Sequence, residues 1–199
     1  MKRIILLRHP ETAFNQDPVK LRGGLDVPLS RNGFAQIPLI CEKILAMFPG
    51  IKQIYSSPLE RAAILATTIA HEYGLKVVKK DGLKSFDYGV LNGKPVSEVL
   101  DVLKTLTTGA GRTLAPKNGE SFDDFLVRTV ETVKETIYNA PEEGHVLVVT
   151  HLQNIMLAKA YLAAGLPEDL SDFVYEYRET NEVGVGEWIE LKRDWVVVG

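Results

Sequence analysis

The chain has 199 residues, 45% of them hydrophobic and 25% charged, with a formal net charge of −3. This is the composition of a globular domain long enough for a sizeable core, and the absence of any lysine–arginine run argues against a nucleic-acid or anionic-membrane surface. The single cysteine, Cys41, allows neither an internal disulfide nor a zinc or iron–sulfur spacing, and no apolar stretch suits a signal peptide or a membrane span, so a cytoplasmic location is expected.

In chain order, Ile4–Leu7 is a short continuous apolar run, the pattern of a strand buried on both faces. It leads directly into Arg8 and His9, and Pro10 cannot extend the ladder. A polar loop runs to Ser30. Phe34, Ile37, Cys41, Ile44 and Phe48 then recur at helical spacing, with Pro38 predicting a kink or a late start and Pro49-Gly50 an end. Gln53–Tyr55 reads as a second strand. A helix follows, with Leu59, Ala62, Ala63, Ala66, Ile69 and Tyr73 facing inward and Gly74 as its stop.

Lys76–Lys79 reads as a strand and Val96–Leu106 as a short helix. Gly109-Ala110-Gly111-Arg112 reads as a flexible connector, and Ser121 opens a strong amphipathic helix through Ile137. Val146–Val149 is a buried strand that runs into Thr150-His151. Ile155–Leu162 is helical, and two strands, Val183–Leu191 and Trp195–Val198, close the chain. This alternation predicts one α/β domain over residues 1–199, with a mostly parallel central sheet and helices on both faces. The stretch 83–118 breaks the alternation and is expected to be a lid or specificity insertion.

Ligands of open α/β sheets bind beyond the carboxyl ends of the strands. His9 and His151 both follow strands, Arg8 precedes His9, and Arg61 lies in the first turn of the helix after the second strand. Four cationic or potentially cationic groups are therefore expected in one crevice without an acidic cluster to neutralise them. Such a crevice suits a phosphoryl group, because arginine forks match its oxygens. A neutral imidazole can attack phosphorus if its other nitrogen donates to a backbone carbonyl. The arginines then supply the charge and no metal or cofactor is called for. His71 and His145 read as surface residues.

The segment Leu7-Arg8-His9-Pro10-Glu11-Thr12-Ala13-Phe14-Asn15 resembles the Arg-His-Gly-Glu-Thr signature of the histidine phosphatase superfamily, also called phosphoglycerate mutase-like. Arg22-Gly23-Gly24-Leu25-Asp26-Val27-Pro28-Leu29-Ser30, Tyr55–Ala62, Asn118-Gly119-Glu120-Ser121 and Val148-Val149-Thr150-His151 are similar to further motifs of that family, in its order. The resemblance implies His9 as the phospho-accepting nucleophile, with Arg8, Arg61 and His151 holding the phosphoryl oxygens and Asn15 adding a hydrogen bond. Gly23, with Lys20 or Arg22 beside it, and Leu152 would line the substrate side.

The sequence departs from the family pattern at three places. Pro10 and Leu152 stand where the family has glycines. Ser85 stands where it often has a glutamate acting as general acid; Asp87, two residues on, is the tentative replacement, its other reading being a plain loop carboxylate. The resemblance implies a phosphatase acting on a small phosphorylated metabolite. The alternatives are a mutase-type phosphotransferase and a weakened phospho-ligand-binding module. A homodimer is left open.

Overall fold

The computed structural model describes residues 3–16, 19–164 and 183–192. Its centre is a five-stranded sheet in the order β3-β2-β4-β1-β5. Strands β1 (Arg3–Arg8), β2 (Ile51–Ser56), β3 (Val77–Lys79) and β4 (His145–Thr150) are mutually parallel. Strand β5 (Trp188–Lys192) closes the β1 edge antiparallel. The expected mostly parallel α/β sheet is the observed one.

Alternation within the strands sorts the core onto two faces. Ile5, Leu7, Leu147 and Val149 point into one apolar cluster, together with helices α1 (Arg31–Met47) and α2 (Glu60–Tyr73). Ile4, Leu6, Val146 and Val148 point into the opposite cluster, shared with α4 (Phe122–Tyr138) and α5 (Leu152–Ala164). Every one of these strand residues is at most 3% exposed, which is why the strands read as unbroken apolar runs rather than alternating ones.

Caps fix where the helices begin. Ser30 Oγ accepts from Gly33 N at 2.9 Å, and Ser121 Oγ from Asp124 N at 3.1 Å. Helix α2 is capped at a distance: Asp26 Oδ1 accepts from Glu60 N at 2.7 Å. Helix α1 starts at Arg31 and runs through Pro38, so the start is not late. Phe34 is 51% exposed, against expectation, and the buried stripe of α1 is Gly33, Ile37, Ile40, Cys41 and Ile44. The stripe includes Gly33 because a Cβ there would come 1.9 Å from Glu11 O; the backbone after β1 crosses directly over the helix start.

Two further expectations are corrected. Val183–Glu187 is not strand: Gly184 O accepts from Glu187 N, making a turn that delivers Glu187 O to Arg8 N and Gly186 N to His9 O. Gly109–Thr113 is a 3-10 turn rather than a flexible connector, and it buries Arg112 in an ion pair with Asp123 at 2.5 Å. Trp195–Val198 lies outside the described residues.

The stretch 83–118 holds α3 (Val96–Leu106) and two short 3-10 turns. Its Phe86, Tyr88 and Val99 share an apolar cluster with Phe122, Phe125 and Leu126 of α4 and Met156, Leu157 and Ala160 of α5. It is also hydrogen-bonded to the loop after β1, through Leu21 N to Lys94 O, Gly93 N to Leu21 O and Val96 N to Val19 O. Among the described residues, no helix is long and apolar enough to cross a membrane.

Candidate active site

Strands β1 and β4 are neighbours, and the chain leaves them for opposite faces: to α1 from β1 and to α5 from β4. A crevice opens at such a switch point beyond the carboxyl ends of the strands. Arg8 pairs in register with Thr150, and His9 N extends the ladder to Thr150 O at 3.0 Å. His9 and His151 therefore leave adjacent strands at one level, with ring centroids 5.2 Å apart. Ser57 leaves β2 beside them, its N–H on Val149 O at 2.9 Å.

His9 and His151 line a cavity of about 210 Å³ together with Arg8, Lys20, Leu21, Arg22, Gly23, Arg61, Ser85, Tyr88 and Leu152. Of the expected residues, His9, Arg8, Arg61, His151, Lys20, Arg22, Gly23 and Leu152 are thus brought together. Asn15 is not among the lining residues; its Oδ1 accepts from Thr12 N and Thr12 Oγ1 in a tight turn. Asp87 is not among them either. Its carboxylate accepts from Gly89 N at 3.0 Å and Asn92 Nδ2 at 2.7 Å, and it lines a neighbouring depression with Gly24, Glu120 and Arg128.

The tautomer of His9 follows from its partner. His9 Nδ1 lies 2.6 Å from Pro10 O, and a carbonyl can only accept, so Nδ1 carries the proton and Nε2 keeps its lone pair. Burial, then the guanidinium groups of Arg61 and Arg22, hold the His9 pKa well below its ordinary value, and the ring is neutral at pH 7. Burial and Arg61 act on His151 in the same direction. His151 Nε2 lies 2.8 Å from Ser57 Oγ, and its Nδ1 has no partner among the described residues.

Arg61 is 1% exposed, yet it stands in the first turn of α2. It donates to Leu25 O at 2.6 Å and to Gly23 O at 3.0 Å, while its Nε has no partner among the described residues. Gly23 offers that carbonyl from a left-handed conformation, φ +47°, where a Cβ would strike Asn92. Arg8 donates to Val183 O at 2.6 Å, and Arg22 to Thr12 Oγ1 at 3.3 Å. The pKa values of Arg22 and Arg61 are both lowered to about 10, by burial first and then by a neighbouring arginine, Arg8 for the one and Arg22 for the other. Positive charge is crowded here, and an anion would relieve it.

Sequence reasoning gave no role to Ser57, Tyr88, Gln153, Glu120 or Arg128. Ser57 was visible only as part of a motif. Gln153 follows His151 by two residues, the one signal for its place on the wall, where its Nε2 donates to Tyr88 Oη. Arg128 clasps the wall from behind, donating to Gly82 O, Lys84 O, Ser85 O and both oxygens of Glu120.

A parallel-sheet switch point carrying two imidazoles and several guanidinium groups is a phosphoryl-handling architecture. The chain belongs to the histidine phosphatase superfamily (branch 1), whose family model matches residues 4–188. It is 34% identical over 166 residues to a bifunctional protein of Mycobacterium tuberculosis, covering 82% of this chain and 45% of that protein; it thus spans less than half the length of this relative. It is 29% identical to a probable phosphoglycerate mutase of Enterobacter sp., over 76% of this chain and 70% of the relative. A mycobacterial glucosyl-3-phosphoglycerate phosphatase solved with VO3 superimposes with a TM-score of 0.78 at 26% identity, over 96% of this chain and 93% of that one.

Proposed function

We propose that the chain is a phosphatase that hydrolyses a small phosphorylated metabolite through a phosphohistidine on His9. The observation that carries this reading is the fixed tautomer of His9. Its Nδ1–H rests on Pro10 O, and its Nε2 lone pair stands beside His151 in a cavity lined by Arg8, Arg22 and Arg61.

In the first step Nε2 attacks phosphorus as the leaving oxygen departs in line, and Arg8, Arg61 and His151 hold the equatorial oxygens. For His151 to donate from Nδ1, its Nε2 must accept the Ser57 hydroxyl proton; Leu59 N, donating to Ser57 Oγ at 3.3 Å, leaves that proton free to turn toward the ring. In the second step water attacks phosphorus. Because Nδ1 kept its proton, the phosphorylated ring is an imidazolium and leaves as neutral imidazole. The guanidinium groups supply the charge, and no metal enters the scheme. The segments 19–24 and 83–118, hydrogen-bonded to one another, would set specificity.

His9→Ala, assayed with p-nitrophenyl phosphate, is expected to lower turnover by about 10⁴-fold or more and to abolish ³²P labelling of the chain. Undiminished turnover would sink the reading. The mutase-named relative supports a second reading, transfer to an acceptor hydroxyl. Incubation with 3-phosphoglycerate separates the two: release of inorganic phosphate indicates hydrolysis, and isomerisation indicates transfer.

A further inference from the structure

An oxygen leaving group departs from phosphorus either with a proton delivered to it or as a stable anion. Which of these a site supports depends on what faces the leaving oxygen. Here Ser85 lines the cavity along with His9, and a serine hydroxyl is far too weak an acid to give up a proton at neutral pH. Ser85 is held in place: its carbonyl accepts from Arg128 Nη2 at 3.0 Å, and the carbonyls of Gly82 and Lys84 are fixed by the same guanidinium.

Asp87 does not line the cavity but a neighbouring depression. Gly23 lines the cavity, while the next residue, Gly24, lies so close to Asp87 that a Cβ there would be 2.8 Å from the carboxyl carbon. The Asp87 carboxylate is further committed to Gly89 N and Asn92 Nδ2, and Glu120 to Arg128 and to Asp87 N. Among the described residues that line the cavity, none carries a carboxylate. What the wall does offer is Lys20 and Arg22, which favour a departing anion, and Val19, Leu21, Val96 and Leu152, which favour an apolar body attached to it.

On the phosphatase reading, we propose that the substrates are phosphoryl donors with acidic leaving groups, acyl or aryl and enol phosphates, rather than esters of ordinary alcohols. The Nε2–P bond forms as the P–O bond breaks, and the leaving oxygen takes the electron pair away as a carboxylate, phenolate or enolate. Water then forms the new P–O bond, the Nε2–P pair returns to the ring, and the water proton passes to solvent with inorganic phosphate as product. The leaving oxygen needs no proton when its conjugate acid is no weaker than about the acidity of a phenol, pKa ~10.

The test is a leaving-group series on the wild-type chain: acetyl phosphate, p-nitrophenyl phosphate, phenyl phosphate and glycerol phosphate, followed by phosphate release. The value of kcat/KM is expected to fall by about 10²-fold or more between the aryl and the alkyl esters, the usual scale of missing acid catalysis. Ser85→Glu should narrow that gap by about tenfold or more and add a basic limb to the pH profile. Alkyl esters turned over within a few-fold of aryl esters, or a folded Ser85→Glu variant with an unchanged gap, overturns the proposal. Should that variant not fold, the wild-type series alone decides. Persistence of turnover in His9→Ala defeats the phosphohistidine reading of the proposed function instead, so the two failures are distinguishable.

Discussion

The two halves of the cavity are built differently. On the proposed reading, the half that would hold the phosphoryl group comes from the sheet: Arg8 and His9 end β1, His151 follows β4, and each is at most 9% exposed with its backbone tied into the ladder or its helix. The half that would face the leaving group comes from loops, residues 19–24 and 85–96, which are held by Arg61, Arg128 and a few main-chain bonds. Rigid strand ends suit a task that does not vary, holding a tetrahedral anion. Loops suit one that does, choosing what is attached to it. Arg61 joins the halves, since it lines the cavity and its guanidinium also holds Gly23 O and Leu25 O.

That double duty makes Arg61 the most damaging place to cut after His9. Arg61→Met should lower kcat/KM by about 10²- to 10³-fold and weaken vanadate binding in parallel. It also leaves buried carbonyls unpaired, about 1–3 kcal/mol for each one that water cannot reach, so thermal melts should accompany the kinetics. Arg61→Lys keeps the charge and loses the fork; recovery of full activity in it would show that the planar geometry is irrelevant. Ser57→Ala probes the phosphoryl half more gently. Loss of one orienting hydrogen bond should lower kcat by about tenfold with KM nearly unchanged, because the tautomer of His151 is what changes. An effect confined to KM would contradict the relay.

Arg128→Met tests the other half. The pair with Glu120 is partly exposed, 27% and 19%, and its loss should destabilise the chain by about 2 kcal/mol, below the cost of breaking a fully buried pair. Affinity for inorganic phosphate should stay within about twofold, while KM for intact esters rises several-fold as residues 82–85 loosen. A matching loss of phosphate affinity would mean that the halves are one mechanical unit.

The same division decides what the sequence disclosed. Ile4–Leu7 and Val146–Val149 are apolar because both faces of the sheet are covered, and a charged or imidazole side chain directly after such a run has one place to be. His9, Arg8 and His151 were legible for that reason. Arg61 was legible through its motif, although nothing local says that a first-turn arginine is buried. The loop half left almost no pattern. Tyr88 and Val96 reach the wall because α3 packs on α4 and α5, a tertiary matter without periodicity in the sequence. Asp87 shows the limit most plainly. Two residues in an irregular loop were enough to put its carboxylate in a neighbouring depression rather than among the residues that line the cavity with His9. Phe34 failed in a simpler way: helical spacing cannot tell that Gly33, pressed against Glu11 O, takes the buried place.

The effect furthest from the chemistry concerns stability and pH. Burial and the arginines lower the pKa of His9 and His151, and burial and Arg3 lower that of His145, so the folded chain resists protons that the unfolded chain accepts. As pH falls below about 6.5, the ordinary histidine value, the unfolded state binds more protons and stability drops, by at most about 1.4 kcal/mol per pH unit for each histidine. The loss continues until the lowered folded-state values are reached. The melting temperature should therefore decline from pH 7 to pH 5, before Glu11, whose pKa is itself lowered by Ser30 and Asn32, begins to contribute. His9→Asn should flatten that slope, since it removes one of the buried rings that protonation disfavours. Inorganic phosphate should raise the melting temperature by mass action, and more in the wild type than in Arg61→Met, because the anion offsets the same crowded charge that depresses the histidines. A melting temperature indifferent to pH over this range would mean that the two rings are not buried as neutral groups, and the electrostatic contrast between the halves would go with it.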